Sequence, residues 1–469
     1  MMTNINNPHT VIIDIGKTHV KLHVLDKHSL SAVSKQMTNS VDTSGIYPCA
    51  DVNKIWNWIC DSIKSISVNF HINKITITTH GATAALINRD STAGDGLVLP
   101  VLDYEFVDIF TDTPTYESVR PDFADTYSPS LPAGLNLGRQ LYWLNQEHPA
   151  LFRSATDILM YPQYWAWRFT GERASEITSL GCHSDLWSIS ENKYSDLVTH
   201  LECEAMFPEL KPAWSSLGNV SPQLCQELGL PVDCEFFSGL HDSNASFLRY
   251  RLAQENSPFT VISTGTWTIL MASNVPLSNL QPTKDMLANI DALGTPIACA
   301  RFMGGREFEI ICERAGSWLG EQFDELDLQN IISREIFALP DFSDGSGPFG
   351  GNTASFVGAV DKASGIALAT IYCALMIDYQ LDMLASKGDV IIEGAFLKNP
   401  LLCAIVNQLR VDQNVLLSQD STGTVSGAAY LTKWESRGTC KVELQDVTVT
   451  NLRGLKQYQQ EWRSLLNVD

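Results

Sequence analysis

The sequence predicts an α/β protein built from two domains. The final third of the chain alternates helical and strand patterns, and such alternation is typical of a parallel or mixed sheet covered by helices. Two strand–turn–strand patterns, one near residue 15 and one near residue 265, resemble each other in arrangement without a long sequence repeat. The length of 469 residues also favours more than one domain, since domains average roughly 150 residues.

The first strand–turn–strand pattern predicts a hairpin. Residues 11–13 are an apolar run, and apolar and polar side chains alternate through residues 19–25. The polar residues 14–18 between them form its predicted tip. Another strand, predicted at residues 75–78, ends at His80 and Gly81.

The later elements are predicted from the same patterns. A second hairpin is expected at residues 259–271, with its turn at residues 263–266. The alternating final third predicts helix 366–384, strand 390–392, helix 400–409, strand 415–417 and helix 426–434. A polar stretch before the second hairpin indicates a boundary near residues 248–258, so we expect domains at residues 1–250 and 251–469.

The composition excludes several classes of function. Acidic residues number 53 against 32 Lys and Arg residues, which gives a formal net charge of −21. We therefore expect neither nucleic acid nor a membrane surface as a partner, because both require a basic face. We also expect no signal peptide in the polar first ten residues. The 11 cysteines are scattered without a C-x-x-C pair, which favours reduced thiols and a cytoplasmic location.

Two glycine-containing segments resemble nucleotide motifs but lack the required context. A P-loop ending at residues 16–18 needs a glycine at position 11, which is Val11, and a helix where a strand is predicted. Residues 345–350 fit G-x-G-x-x-G, but no strand precedes them and Pro348 lacks a backbone donor. The sequence therefore predicts neither a P-loop nor a dinucleotide fingerprint.

Gly and Thr residues in the two hairpin turns indicate phosphate binding. Backbone N–H groups and Thr hydroxyls in such turns can hold phosphate oxygens without a fixed positive charge. Asp242 lies in a Gly-flanked turn that begins a helical pattern, and one carboxylate within hydrogen-bond reach can deprotonate a hydroxyl nucleophile. Asp14 in the first hairpin is then a candidate to position Mg²⁺ on nucleotide phosphates.

Seven segments resemble, in the right order, motifs of the FGGY carbohydrate kinases, a family of the sugar kinase/Hsp70/actin superfamily. The segments are 14–21 (DIGKTHVK, first phosphate motif), 137–144 (LGRQLYWL), 161–172 (YPQYWAWRFTGE), 239–245 (GLHDSNA, catalytic turn), 263–267 (STGTW, second phosphate motif), 394–408 (GAFLKNPLLCAIVNQ, adenosine motif) and 426–430 (SGAAY, terminal helix). The resemblance extends over about residues 11–434.

This resemblance implies two RNase H-like (actin-like ATPase) domains, with ATP, Mg²⁺ and a sugar in a cleft between them. Asp242 is then the catalytic base and contacts the sugar, and Asp14 binds the metal. The other residues implied to contact the sugar are His80, Gly81 and His241. The residues implied to bind the nucleotide are Asp14, Gly16, Lys17, Thr18, Lys21, Thr264, Gly265, Thr266, Gly394, Ala395 and Asn399.

The sequence departs from the family pattern at three positions. Lys17 replaces a small Ser or Thr, Ala395 replaces the second glycine of the adenosine motif, and Gln163 stands where an acidic residue is common. The first two leave the nucleotide preference open. Structural interpretations also stay open, among them helix capping by Asp242 and Asn399.

The activity that the resemblance implies is ATP-dependent phosphorylation of a ketose. The candidates are pentuloses such as xylulose or ribulose, and 6-deoxyhexuloses such as fuculose or rhamnulose. Two alternative functions stay open: a polyol kinase acting on glycerol or erythritol, and a non-catalytic sugar- or nucleotide-binding regulator. A homodimeric state of the protein also stays open. An actin- or Hsp70-like ATPase with a protein partner should lack residues 161–172, which are present here.

Overall fold

The computed structural model describes residues 8–26, 31–110, 113–255, 257–343, 345–361, 364–420 and 422–466. The chain divides into two compact units. The first comprises Met1–Ala253, Asn289–Pro296 and Thr422–Lys441, and the second comprises Gln254–Ala288, Ile297–Ser421 and Val442–Asp469. The main segment of the first unit ends near the predicted boundary at residue 250, and two later segments join the same unit.

Strands and helices alternate along much of the described chain. The strands are β1 (Pro8–Ile15), β2 (His19–Leu25), β3 (Ser31–Thr38), β4 (Val41–Asp42), β5 (Cys49–Ala50), β6 (His71–Thr79), β7 (Ala84–Ile87), β8 (Asp157–Met160), β9 (Trp187–Ser188), β10 (Lys193–Tyr194), β11 (Ser216–Asn219), β12 (Glu235–Phe237), β13 (Leu240–His241), β14 (Phe259–Thr264), β15 (Thr268–Ala272), β16 (Met286–Ile290), β17 (Pro296–Phe302), β18 (Phe337–Leu339), β19 (Ser355–Val357), β20 (Asp389–Gly394), β21 (Val415–Ser418) and β22 (Gln445–Asp446).

The α-helices are α1 (Val52–Ser67), α2 (Thr113–Glu117), α3 (Phe123–Thr126), α4 (Leu137–Glu147), α5 (Pro149–Ser154), α6 (Tyr161–Thr170), α7 (Ile177–Leu180), α8 (Asp196–His200), α9 (Pro222–Leu228), α10 (Asp242–Ala253), α11 (Gly304–Ala315), α12 (Glu325–Ser333), α13 (Gly365–Met383), α14 (Pro400–Leu409), α15 (Gly423–Ala429) and α16 (Leu455–Leu465).

The first unit contains a seven-stranded mixed sheet. Its order is β11-β12-β6-β1-β2-β3, and β13 also pairs with β6. Strand β1 lies antiparallel to β2 and parallel to β6, and β6 is parallel to β12 and β13. Residues 11–13 are fully buried, as expected for a central strand covered on both faces. The carboxyl ends of β1, β6 and β13 therefore meet at one edge of the sheet.

Helix α1 shows how the local sequence determines an element that covers this sheet. The Asp51 carboxylate accepts a hydrogen bond from the N–H of Lys54 at 3.0 Å and caps the helix. Ile55, Ile59 and Ile63 follow at intervals of one helical turn and form its buried face. They belong to the same hydrophobic core as β1, β2 and β6.

The second unit repeats this arrangement in a sheet of order β16-β17-β15-β14-β20-β21-β22. Strand β14 forms an antiparallel hairpin with β15 and lies parallel to β20, which is parallel to β21. The similarity between the two predicted hairpins is thereby confirmed. Within the described residues, only α13 has the length and apolarity of a membrane-crossing helix, and 83% of its apolar window is buried inside the protein, as in a core helix.

Two predicted element boundaries are wrong. Asp14 belongs to β1 and pairs with Lys21, so the hairpin tip is shorter than predicted. The helix predicted at residues 426–434 is instead α15 followed by a 3₁₀ helix, Tyr430–Thr439, with non-helical backbone angles at Lys433. The Lys74 ammonium donates to the Thr432 carbonyl at 2.7 Å, where a regular α-helix would require a backbone N–H. The eleven cysteines are buried and unbridged.

Candidate active site

The ends of three parallel strands bring the predicted catalytic residues together in the first unit. Asp14 pairs in register with Thr78, and His241 pairs with Thr79. The N–H of His80 donates to the Ile15 carbonyl at 2.9 Å, so the chain after β6 stays close to β1. Asp242 follows β13 directly and is the first residue of α10. Residues more than 200 positions apart in sequence thus share one sheet edge.

Two carboxylates share this edge and interact electrostatically. Burial and the negative charge of Asp242 raise the pKa of Asp14 to about 6, while Lys21 on the neighbouring strand partly opposes the shift. Burial also raises the pKa of Asp242, against the effects of His80 and of hydrogen bonds from Ser243. The N–H of Ser243 donates to Asp242 Oδ1 at 2.6 Å. A carboxylate whose pKa is shifted toward neutrality is suited to act as a general base.

His241 is held as a neutral imidazole beside Asp242. Its Nε2 lies 3.2 Å from Asp242 Oδ1, and burial lowers its pKa to about 4. The amide nitrogen of Asn244 lies 3.4 Å from His241 Nδ1. Because that amide can only donate, Nδ1 is the acceptor and the proton resides on Nε2, which donates to Asp242. His241 therefore orients the candidate base.

His80 lies next to these groups in an aromatic environment. Its ring centroid is 5.4 Å from that of Tyr104 and 5.2 Å from that of Tyr161. Burial lowers the pKa of His80, and the negative charge of Asp242 opposes this effect. Gly81 permits a close approach, since a Cβ there would lie 2.8 Å from His241 Nε2. The predicted sugar-contacting residues His80, Gly81, His241 and Asp242 are thus brought together.

A small pocket adjoins His80. Its volume is about 20 Å³, and its lining includes residues that the sequence did not single out. The lining residues are Lys17, Asn39, Ser40, Val41, Ala50, His80, Thr83, Leu102, Asp103 and Tyr104. A space of this size holds about one water molecule, so its aromatic, amide and carboxylate groups could contact only one small group of a larger ligand.

The first hairpin turn is tightly held. The N–H of Gly16 donates to His19 O at 2.9 Å, and Asn39 Nδ2 donates to Gly16 O at 2.9 Å. Thr18 is exposed at the tip. The ammonium group of Lys17 forms ion pairs with Asp103 and, at 3.3 Å, with Glu105.

The Lys17 ammonium also lies 4.6 Å from the centroid of the Tyr104 ring. Two carboxylates thus neutralise this cation, and its contact with phosphate stays a prediction.

The second hairpin turn lies in the second unit. The Thr264 hydroxyl donates to Glu393 O at 2.6 Å and accepts from the N–H of Phe396 at 2.9 Å, so it fixes the ends of β14 and β20. Gly394 has φ +88°, and a Cβ there would lie 2.1 Å from Thr264 O. The N–H of Gly265 donates to Trp267 O at 2.8 Å.

The hydroxyl proton of Thr264 is therefore already used, and the exposed Thr266 offers the accessible hydroxyl of this turn.

The predicted adenosine segment follows β20. Ala395 is exposed and begins the 3₁₀ helix Ala395–Lys398. Asn399 caps α14, because its side-chain oxygen accepts the N–H of Leu402 at 3.1 Å. Its amide nitrogen donates to Thr370 Oγ1 at 2.9 Å. The predicted capping role of Asn399 is confirmed, whereas its contact with adenosine stays a prediction.

Two supporting sets of contacts could not be seen in the sequence. Gln163 Nε2 donates to Ser238 O at 3.0 Å and to Gly239 O at 3.2 Å, and so fixes the turn before Asp242. An acidic residue at position 163 could not donate these bonds when ionised, which gives the Gln a physical role. The Thr178 hydroxyl accepts the N–H of His241 at 3.0 Å and donates to the buried Glu176 at 2.5 Å.

Glu176 should make stability depend on pH. Burial raises its pKa from 4.5 to about 8, so the folded protein retains a proton there that the unfolded chain releases above pH 4.5. Its contribution to stability therefore falls as pH rises from about 4.5 to about 8. We expect Glu176→Gln to match the parent near pH 5 and to be more stable, by a few kcal/mol at most, near pH 8.

Urea unfolding of both proteins at each pH measures this difference. Glu172→Gln, at an exposed position, is the control and should follow the parent at both pH values. An equal difference between Glu176→Gln and the parent at the two pH values would contradict the assignment.

The carboxylate pair fits a magnesium ion that is carried by a nucleotide. The described residues contain no group of three or more His, Cys, Asp or Glu side chains that could hold a metal ion by themselves. Mg²⁺ usually takes only one or two protein carboxylates and completes its shell with waters and substrate phosphates. Asp14, whose pKa the neighbouring Asp242 raises, could supply such a ligand, and a divalent cation would relieve the repulsion between the two carboxylates.

Comparison with known proteins agrees with this geometry. Residues 131–248 match the N-terminal domain of the FGGY family of carbohydrate kinases, and residues 256–439 match the C-terminal domain of carbohydrate kinase FGGY. The L-fuculokinase of Escherichia coli (strain K12) is 25% identical over 276 residues, which are 56% of this chain and 56% of that protein. The rhamnulokinase of Oceanobacillus iheyensis is 26% identical over 49% of this chain and 47% of its own. The chain thus spans about half the length of the curated relatives it matches.

Solved structures align over almost the whole chain. A carbohydrate kinase from Novosphingobium aromaticivorans has a TM-score of 0.90 and 30% identity, with 98% of both chains covered. A xylulose kinase from Lactobacillus acidophilus has a TM-score of 0.79 at 14% identity and covers 98% of this chain and 97% of its own, which shows the shared fold. The predicted α/β fold of two actin-like domains is confirmed. This chain belongs to the FGGY family of carbohydrate kinases.

Proposed function

We propose that this protein is a sugar kinase that transfers the γ-phosphoryl group of ATP to a hydroxyl group of a small ketose. The observation that carries the proposal is the placement of Asp14 and Asp242 at one sheet edge, where the charge of Asp242 raises the pKa of Asp14. One carboxylate can accept the proton of the attacking hydroxyl while the other positions the metal-bound phosphates. Family membership supports the same reaction.

Each residue of the site has a separate task in this reaction. Asp242 accepts the hydroxyl proton, and the Nε2–H of His241 holds its Oδ1 so that Oδ2 can face the substrate. The N–H groups of Gly16 and Gly265 are used within their own turns, so phosphate oxygens would be bound by other backbone N–H groups and by the exposed Thr hydroxyls of these turns. When bound at Asp14, Mg²⁺ supplies charge neutralisation for the phosphates.

The substrate that we favour is a 6-deoxyketohexose. The relatives named above are an L-fuculokinase and a rhamnulokinase, although their matches cover only about half of each protein. The pocket beside His80 combines polar groups with an apolar wall formed by Val41, Ala50 and Leu102, which suits a methyl group. Pentuloses are the second class, in keeping with the xylulose kinase fold. The buried, unbridged cysteines support a cytoplasmic enzyme.

A substrate panel tests the proposal. ADP release is measured with the free ketoses L-rhamnulose, L-fuculose, L-xylulose, D-xylulose and D-ribulose, and with the polyols glycerol and erythritol. Mass spectrometry identifies the product. We expect the highest kcat/KM for a 6-deoxyketohexose. Preference for a polyol would support the polyol kinase instead, and saturable sugar binding without ADP release would indicate a regulator.

The acid side of the pH profile should report the carboxylate pair. Because the pKa of Asp14 is about 6 and that of Asp242 is also raised, kcat/KM should fall roughly tenfold per pH unit below about pH 6 and level off above it. Lys21 lowers the pKa of Asp14, so Lys21→Met should move this decline to higher pH. An unchanged profile down to pH 5, or one unaffected by Lys21→Met, would contradict the assignment.

A further inference from the structure

A second cavity lies in the first unit, away from the candidate active site. It has a volume of about 270 Å³ and lies at the beginning of β1 and the end of β2, whereas Asp14 is near the end of β1. Its lining residues are Pro8, Thr10, Leu25, Asp26, Asn73, Lys74, Ala429, Thr432 and Lys433. The volume is close to the lower limit for small-molecule sites, about 300 Å³, and suits a ligand of the size of a sugar phosphate.

A β-bulge arranges one wall of this cavity. His9 pairs with Ile72 and Thr10 pairs with Lys74, so Asn73 is an extra residue in β6. Successive side chains of a regular strand point to opposite faces, yet both Asn73 and Lys74 line the cavity. Bulges commonly redirect side chains next to binding sites.

Two lysines reach the cavity from different elements. Lys74 lies on β6, and its ammonium donates to the Thr432 carbonyl at 2.7 Å. Lys433 lies at the backbone kink after α15, 4.5 Å from the centroid of the Tyr430 ring. Burial lowers the pKa of Lys433, so an anion beside it would stabilise its charged form. Such a convergence of cations stands out in a chain with a formal net charge of −21.

The remaining lining groups suit a polyhydroxylated carbon skeleton. Asp26 can accept hydrogen bonds from hydroxyl groups, and Asn73 can both donate and accept them. Leu25 and Ala429 provide apolar contacts for carbon atoms. A lone inorganic anion would use the lysines but leave these groups without a role, and the Asp26 carboxylate would oppose it.

We propose that this cavity binds a small polyhydroxylated phosphate monoester, with the phosphate at Lys74 and Lys433 and the hydroxyl groups at Asp26 and Asn73. The product of the proposed kinase reaction belongs to this chemical class. The site itself does not depend on that reaction, because its residues are separate from Asp14 and Asp242.

Hydrogen–deuterium exchange of the full chain, without ATP, tests the site with D-ribose 5-phosphate, inorganic phosphate and D-ribose as probes. Ribose 5-phosphate should protect peptides that contain residues 71–74 and 429–433 in a saturable manner. Inorganic phosphate should bind more weakly, and ribose should give no protection. Equal binding of inorganic phosphate would overturn the assignment to a sugar phosphate, and absence of saturable protection would overturn the site.

Variants identify the lysine contribution. Lys433→Gln should weaken binding of ribose 5-phosphate by about tenfold or more, since it removes a charge-assisted hydrogen bond. Lys433→Arg should retain binding, which separates loss of charge from a folding defect. Lys64→Gln, at an exposed position on α1, is the matched control and should bind like the parent. Protection that persists unchanged in Lys433→Gln would contradict the proposal. This outcome does not depend on whether the protein phosphorylates a sugar, because the experiment contains no ATP.

Discussion

Replacement of Asp242 by Asn should lower kcat for sugar phosphorylation by about 10³-fold, or about 4 kcal/mol of activation free energy. The amide oxygen of Asn can still accept from the N–H of Ser243, which lies 2.6 Å from Oδ1 in the parent. It can also accept from His241 Nε2, which lies at 3.2 Å. The local structure should therefore persist, while the group that takes the hydroxyl proton is lost.

Measurements of binding and turnover separate these effects. The affinities for ketose and for ATP should change little in Asp242→Asn, whereas single-turnover phosphorylation should slow to the predicted extent. Asp61→Asn, at an exposed position on α1, is the control and should phosphorylate sugar at the parental rate. A rate for Asp242→Asn within tenfold of the parent would remove Asp242 from the role of general base.

The architecture could be predicted because its signals are local. Three local patterns predicted it: the apolar run of β1, the alternation of apolar and polar residues in β2, and the succession of helices and strands after residue 365. In such patterns, the positions of apolar residues along a short segment indicate the type of element and its buried side. The proximity of Asp14 and Asp242 was implied by the family resemblance, and the parallel alignment of β1, β6 and β13 provides its physical basis.

Contacts between distant segments could not be predicted in the same way. The sequence offered Lys17 as a cation for phosphate, but its partner Asp103 lies 86 positions away, and no periodic pattern links them. Gln163 supports the turn at Ser238 and Gly239 through a similarly long-range contact. By contrast, the contact between His241 and Asn244 is local, because the two residues lie only three positions apart in the sequence.

A close contact between two helices connects this supporting structure to the proposed catalytic base, Asp242. Helix α10, which begins at Asp242, packs against α15 where Gly427 faces Ala245. A Cβ at position 427 would lie 1.7 Å from the Ala245 carbonyl oxygen. This neighbour is a backbone atom within a helix, so it cannot move aside as the end of a flexible side chain can.

Gly427→Ala should therefore destabilise the first unit by about 3 kcal/mol or more, because overpacking outweighs the gain of about 1 kcal/mol in helix propensity. It should also reduce turnover at temperatures where the protein remains folded, since α10 must shift.

Gly438→Ala, where an added Cβ would meet nothing within 4 Å, is the control and should change stability little. Trp214 and Trp434 stack in the same unit with ring centroids 3.7 Å apart, so near-UV circular dichroism during urea unfolding reports on this region. Coincident unfolding curves for Gly427→Ala and Gly438→Ala would show that the α10–α15 contact tolerates a methyl group, and the position of Asp242 would then not depend on the glycine.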